Sequence, residues 1–137
     1  MVDKLLIQRR IDDITQSLKR LEKITKIGKE KFLENQDVKD IASYRLITLI
    51  EAAISICQHI CAREIKKAPG NYADCFEILS KYDIIPAELA EKLQKMVRLR
   101  NMLIHIYWNI DYELVYKYIE NNLDDVKKFI VLIINNN

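Results

Sequence analysis

Apolar residues recur every three or four positions along most of this chain, which is the spacing of one face of an α-helix. In residues 3–27 the intervals are four, three, four and three, a heptad-like seam, and charged residues fill the other faces. The seam consists of Ile7, Ile11, Ile14, Leu18 and Leu21. Residues 38–67 are apolar almost all round, which is typical of a helix buried in a bundle or in a subunit interface. The pattern therefore predicts two long helices in the first half of the chain.

Turn-forming residues mark the ends of these two helices. Gly28 ends the first helix, and residues 28–37 are interpreted as a polar connection. Residues 68–71, with the sequence Ala-Pro-Gly-Asn, form the clearest break in the chain and end the second helix. A short helix is predicted over residues 72–81.

Two long helices are predicted in the remaining part of the chain. Pro86 lies in the first turn of one of them, where its missing N–H is tolerated. The last helix is predicted over residues 111–134, with Asn109 or Asp111 as its capping residue. Together the elements predict an all-α, up-and-down bundle of four long helices plus a short helix.

The size, charge and cysteines of the chain narrow its class. At 137 residues it is long enough for a single domain, residues 1–137, with its own core. The formal net charge of +2 is mild, so nucleic-acid binding would depend on a local basic patch. We find no signal peptide and no apolar run near the length of a membrane span, so no membrane partner is expected. Cys57, Cys61 and Cys75 lack the spacing of a disulfide framework, which indicates reduced thiols in a cytoplasmic protein.

The spacing of the cysteines does not favour a metal site. Cys57 and Cys61 are one turn apart on the predicted second helix, but His59 points away from both. Cys75 is the only other thiol, so no tetrahedral set is completed. The sequence therefore predicts no metal site and no cofactor, and we interpret the cysteines as small core residues.

The most unusual stretch is residues 96–108, within the helix that begins near Pro86. Its apolar stripe consists of Leu89, Leu93, Met96 and Leu103. Arg100 falls on this stripe, where an unpaired charge is costly, so it must reach a partner, an anion or water. His105 lies about 140° away around the helix, on the face of Arg98 and Asn101. Arg100 and His105 therefore meet only if the helix bends or two copies of it are apposed, which favours a dimer.

The run Arg100-Asn101-x-x-x-His105-x-Tyr107 resembles the Arg-x4-His-x-Tyr motif of HEPN-domain ribonucleases. The tyrosine two residues beyond the histidine makes the motif most similar to that of the HepT toxin branch. Members of this branch pair with a minimal nucleotidyltransferase antitoxin of the MntA kind. The resemblance covers most of the chain and implies a HEPN-like homodimer with the active site at the dimer interface. It implies a metal-independent endoribonuclease that leaves 2′,3′-cyclic phosphate and 5′-hydroxyl ends, the toxin of a type VII-like toxin–antitoxin system.

The resemblance also implies a role for each residue of the motif. The planar fork of Arg100 would bind phosphate oxygens, and His105 would transfer protons near neutral pH. Asn101 would orient His105 or the phosphate. The cognate nucleotidyltransferase would transfer AMP from ATP to Tyr107, which shares a helical face with Arg100. The added negative charge would compete for the arginine and block the substrate.

Further polar residues could contact the RNA backbone. Lys92, Lys95 and Arg98 form a modest basic strip beside the motif, and a solvated lysine face explains them equally well. Arg45 could add a phosphate contact, and Glu51 could pair with an arginine of the motif. For these last two residues a structural ion pair or an exposed position is the favoured interpretation.

Two other functions remain open at this point. The chain could be a non-catalytic, nucleotide- or substrate-binding helical partner of a nucleotidyltransferase, in which Arg100 and His105 grip a nucleotide without hydrolysis. It could also be a catalytically silent bundle, with the motif serving as an ion network at an interface. Growth arrest on expression of this chain alone would favour the nuclease over the binding partner.

Overall fold

Seven α-helices account for most of residues 2–105 and 109–136, the residues that the computed structural model describes. In chain order they are α1 (Lys4–Thr25), α2 (Lys29–Glu34), α3 (Gln36–Ile60), α4 (Tyr72–Lys81), α5 (Ala87–His105), α6 (Tyr112–Asn121) and α7 (Leu123–Asn136). A π-helical turn, Cys61–Ile65, directly follows α3. No β-strand occurs in the described ranges, and the predicted all-α fold is confirmed.

Side chains that accept backbone hydrogen bonds fix where several helices begin. Each satisfies an amide of the first turn, which has no partner inside its own helix. Asp111 accepts a hydrogen bond from the amide of Leu114 at 3.1 Å, so it is the cap of the two that the sequence offered. The full set of capping residues is Asp3 of α1, Asn35 of α3, Asn71 of α4 and Asp111 of α6.

The central element of the bundle is α3. It packs against α1, α4 and α5, and it also contacts α2 and α6. The expected burial of this helix is confirmed, since most of its apolar side chains lie in the core. Those without any solvent exposure include Leu46, Leu49, Ile50, Ala53 and Ile56. α5 packs against α3 and α4 and also contacts α7, and these contacts set the position of the predicted motif.

Two segments differ from the sequence prediction. The polar connection expected over residues 28–37 contains α2, which is anchored by the fully buried ring of Phe32. That ring packs against Tyr116, with ring centroids 5.1 Å apart, and against Tyr112. A single buried residue among charged neighbours leaves no periodic signal, which is why the pattern concealed this helix.

The last helix, predicted over residues 111–134, is divided into α6 and α7 at Asn122. The Asn122 amide side chain donates to the Asp125 carboxylate at 3.3 Å, and the Asn122 carbonyl accepts from the Asp125 amide. The apolar spacing continues through the break without a change of phase. Periodicity alone therefore could not reveal it.

One helical segment is longer and more apolar than the sequence analysis expected. The continuous helical segment Gln36–Ile65 is long and apolar enough, by length and composition, to cross a membrane. Arg45 and Glu51 are the only charged residues between positions 41 and 62, so this central part of the segment stays apolar. More than half of its most apolar window is buried inside the bundle, as in a core helix.

Candidate active site

Arg100 lies near the C-terminal end of α5 and reaches toward α3 and α4. Its Nη2 donates to Oε1 of Glu51 on α3 at 3.2 Å, and its Nη1 donates to Oδ1 of Asn101 at 3.1 Å. The guanidinium carbon lies 5.2 Å from the ring centroid of Tyr72, the first residue of α4. Only 16% of the Arg100 side chain is exposed, so three neighbours hold it in one place.

The need for a partner at position 100, predicted from the apolar stripe, is confirmed. The partner is Glu51, the interaction that the sequence analysis had named but not favoured. Glu51 is itself half exposed, and an ion pair with one solvated member contributes only about 0–1 kcal/mol to stability. An anion from solution can therefore compete with Glu51 for the guanidinium.

The guanidinium of Arg100 also has a hydrogen-bonding capacity that the fold leaves unused. Its Nε is buried and has no acceptor within the described part of the chain. A buried donor without a partner costs about 1–3 kcal/mol. An unmet donor on a buried charged group calls for an explanation, and a bound anion would supply the missing acceptor.

His105 has the opposite surroundings. It is the last residue of α5, it is exposed, and it makes no hydrogen bond or ion pair with residues 2–104 or 109–136. Asn101 lies one turn before it on the same exposed face, because residues four apart are neighbours on a helix. The Asn101 carboxamide already binds Arg100, so it stands between the two predicted catalytic side chains.

The phase difference between the predicted catalytic residues persists in the fold. Arg100 is directed at α3 and α4, and His105 is directed at solvent. The described part of one chain contains no contact between them. Tyr107, the predicted site of AMP transfer, lies in residues 106–108, outside the described residues, and its role stays a prediction.

The predicted basic strip borders a groove between α5 and α6. Lys95 and Arg98 are exposed, and Lys92 forms a weak ion pair with Glu88 at 3.6 Å. Lys92, Lys95 and Arg98 line a cavity of about 390 Å³ together with Leu99, Met102, Leu114, Tyr118 and Asn122. Arg98 and His105 are seven residues apart, so they share a face of α5 about 10 Å apart. The groove therefore leads along the helix toward His105.

Tyr118 adds a polar group to this groove. Its hydroxyl is buried and has no hydrogen-bond partner in the described part of the chain. Burial, with a smaller contribution from the carboxylate of Asp125, raises the pKa of Tyr118 far above its ordinary value. The phenol therefore stays protonated and can donate a hydrogen bond at any physiological pH.

Arg45 lies apart from this constellation. Its guanidinium carbon is 5.5 Å from the ring centroid of the neighbouring Tyr44, and the residue is half buried. It precedes Glu51 by six residues on α3, which corresponds to about 9 Å along the axis and a different face. The structure brings Glu51, but not Arg45, to the guanidinium of Arg100.

Sequence reasoning missed two features near this region. Tyr72 was identified only as the start of a short helix, and nothing in its sequence context signalled a contact with Arg100. The burial of the cysteines was expected, but the mutual approach of Cys57, Cys61 and Cys75 was not: their sulfur atoms all lie within 4.8 Å of one another. His59 does point elsewhere, since its Nε2 accepts a hydrogen bond from the Asp3 amide at 2.7 Å.

Comparison with known proteins shows the family of this chain. A family model described as ribonuclease HepT-like matches residues 14–133. The mRNA nuclease HepT of Shewanella oneidensis is 28% identical over 128 residues, which are 93% of this chain and 96% of that protein. The tRNA nuclease HepT of Aphanizomenon flos-aquae is 31% identical over 111 residues, which are 80% of this chain and 75% of that protein.

A solved structure is similar over nearly the whole chain. It contains the tri-AMPylated Shewanella oneidensis HEPN toxin in complex with MNT antitoxin. The two chains superpose with a TM-score of 0.88 at 28% identity, covering 97% of this chain and 98% of the other. The resemblance inferred from residues 100–107, and with it the expected class of RNA-cleaving enzyme, is thereby confirmed at the level of the family. This chain belongs to the ribonuclease HepT-like family.

Proposed function

We propose that this chain is the toxin of a type VII-like toxin–antitoxin pair, a cytoplasmic, metal-independent endoribonuclease that acts as a homodimer of single-domain chains. The observation that carries the proposal is the environment of Arg100. A nearly buried guanidinium, held by Asn101 and Tyr72, has as its anionic partner only the half-exposed Glu51 among the described residues. A phosphate group of RNA can therefore replace the Glu51 carboxylate as the partner of this guanidinium.

Cleavage of RNA without a metal ion divides into three tasks. A base takes the proton of the 2′-hydroxyl, an acid protonates the departing 5′-oxygen, and a cation stabilises the charged phosphorane. Arg100 performs the third task because its planar fork can bind two phosphate oxygens at once. His105 performs proton transfer, for which an exposed imidazole on the RNA side of α5 is suited. The products are a 2′,3′-cyclic phosphate and a 5′-hydroxyl.

A second copy of the chain solves the problem of geometry. Arg100 and His105 face different sides of α5, so a complete site takes the arginine of one protomer and the histidine of the other. The face of α3 that carries Glu51 also exposes two large apolar side chains, Ile41 at 49% and Tyr44 at 62%. Exposed apolar residues around a polar centre are typical of a protein–protein interface. These features support a dimer that is centred near the Arg100–Glu51 pair.

The groove lined by Lys92, Lys95 and Arg98 supplies a path for the RNA strand beyond the cleaved bond. Exposed cations attract the phosphate backbone and contribute a salt-dependent part of the affinity. The cavity of about 390 Å³, with Leu99, Met102 and Leu114 in its lining, provides room for a nucleotide. Arg45, which lies elsewhere on α3, contributes at most to the outer part of this path.

Regulation by a cognate MntA-like nucleotidyltransferase completes the proposal. The relative from Shewanella oneidensis is found tri-AMPylated and bound to MNT antitoxin, which supports AMP transfer to Tyr107 in this chain. Co-expression with the cognate nucleotidyltransferase should add mass in steps of AMP, and the Tyr107→Phe variant should gain none. Addition of AMP to the Tyr107→Phe variant at the parent level would place the modification at another residue.

The decisive experiment is an RNA-cleavage assay in EDTA with unmodified protein and the His105→Ala variant. His105 is exposed and makes no hydrogen bond or ion pair with the described residues, so replacement of its side chain should leave the fold intact. Cleavage by the parent alone, with cyclic-phosphate ends, supports the proposal. Cleavage by both proteins at one rate would contradict the role of His105. No cleavage by either, from protein free of AMP, would favour the nucleotide-binding partner instead.

A further inference from the structure

The three cysteines of the chain come together in the core of the bundle. Cys57 belongs to α3, Cys61 begins the π-helical turn, and Cys75 belongs to α4. All three have no solvent exposure, and their sulfur atoms lie within 4.8 Å of one another. The sulfurs of Cys61 and Cys75 are 3.5 Å apart. π-helical turns of this kind are rare and occur frequently at functional sites.

The spacing of the sulfurs matches a three-coordinate metal site. A metal ion about 2.3 Å from each of three sulfurs in a trigonal plane places those sulfurs about 4.0 Å apart. The observed separations, from 3.5 Å to at most 4.8 Å, bracket this value. Only small side-chain rotations would be needed to centre an ion. We propose that Cys57, Cys61 and Cys75 form a binding site for a single Cu(I) ion.

The ligand set selects the class of metal. Thiolates favour soft ions such as Cu(I), Zn²⁺ and iron in iron–sulfur clusters. Structural Zn²⁺ requires four ligands in a tetrahedron, but within the described residues the cluster contains only three potential ligands. His59 is held by the Asp3 amide, and water has no access to the buried sulfurs. Cu(I) is satisfied by three sulfurs, so it fits a site that has no fourth ligand.

Binding of the ion replaces the protons of the thiols. Each S–H bond breaks, its proton passes to solvent and a Cu–S bond forms in its place, while copper remains Cu(I). The Sγ of Cys61 lies 3.5 Å from the Sγ of Cys75, so little movement is needed for both sulfurs to contact one ion.

The test is an anaerobic titration of the reduced, full-length chain with Cu(I) in the presence of a chromogenic Cu(I) chelator. The parent should withdraw one equivalent of copper from the chelator. Its X-ray absorption spectrum should contain three sulfur ligands at about 2.3 Å. The Cys75→Ala variant should lose stoichiometric binding, while the His59→Ala variant serves as the matched control and should bind as the parent does. Circular dichroism establishes that each variant keeps its helices.

Several results would overturn the proposal. One is a failure of the parent to take copper from the chelator, which would leave the cysteines as core residues only. Another is full binding by the Cys75→Ala variant, which would indicate a two-coordinate site formed by Cys57 and Cys61 alone. A spectrum with a nitrogen or oxygen ligand would also contradict it. The spectrum of the parent decides the question even if the Cys75→Ala variant does not fold.

Discussion

Arg100 and His105 stand five residues apart on one helix and differ in almost every physical respect. Arg100 is nearly buried, is bonded to Glu51 and Asn101, and lies over the ring of Tyr72. His105 is exposed at the end of α5 and has no partner within the described residues. A single chain thus fixes the guanidinium and leaves the imidazole, the proposed proton-transfer group, without a polar partner among the described residues. In the proposed enzyme, the fold of one chain positions the guanidinium of Arg100, and the imidazole of His105 is positioned only when the dimer forms.

The largest effect is expected from removal of the fixed cation. Arg100→Ala should lower kcat/KM by about 10³-fold, because an arginine that stabilises the charge of a phosphoryl transition state contributes on this scale. Arg100→Lys should recover only a small part of the loss, since lysine lacks the planar fork. Steady-state cleavage of a labelled RNA measures both variants. Parent-like activity of Arg100→Lys would mean that charge alone suffices.

The second expected effect concerns dimers in which one protomer lacks Arg100 and the other lacks His105. A mixture of Arg100→Ala and His105→Ala protomers should regain activity, because one site of each mixed dimer then contains an intact arginine and an intact histidine. Random pairing makes half of the dimers mixed, so about a quarter of the parent rate is expected. Cleavage is measured after the two variants are denatured together and refolded. An inactive mixture would place both groups of each site in one chain.

A smaller effect is expected from the aromatic support of Arg100. Tyr72→Leu keeps an apolar side chain but removes the π face, which contributes about 0.5–1 kcal/mol at an exposed site. The loss in kcat/KM should therefore be about two- to fivefold. Tyr82→Leu is the matched control, because Tyr82 is similarly exposed and has no described contact with Arg100. Equal losses in the two variants would remove Tyr72 from the site.

The smallest effect concerns the groove on the His105 side. Lys95→Ala and Arg98→Ala should each reduce the slope of log(kcat/KM) against log[salt] by about one unit, as loss of one phosphate contact does. Lys19→Ala, at an exposed position of α1, should leave the slope unchanged. The measurement is a series of cleavage rates from low to moderate salt. An unchanged slope in all three variants would make the basic strip an ordinary solvated face.

The sequence was most informative where a property repeats along the chain. The apolar seam of α1 follows the helical period, and α3 is apolar on nearly every face. The charge at position 100 was evident because it interrupts an apolar stripe with that period. The position of Arg100 on the packed stripe correctly indicated that it has a partner.

Features that depend on distant parts of the chain could not be predicted in this way. Glu51 and Tyr72 meet Arg100 because α3 and α4 both pack against α5, and no local pattern encodes this arrangement. The approach of Cys75 to Cys57 has the same cause. The helix α2 could not be predicted for a different reason. Phe32 is its single buried residue, so its sequence contains no repeating apolar pattern.

The short helix α4 has a consequence for protein engineering. Its first residue, Tyr72, lies against the guanidinium of Arg100, and one turn later Cys75 lies against the sulfur of Cys61. A displacement of α4 at Cys75 would therefore also move Tyr72 and alter the support of the Arg100 guanidinium. A cross-link, a caged thiol or an added ligand intended to control this protein from outside would therefore be placed on these ten residues.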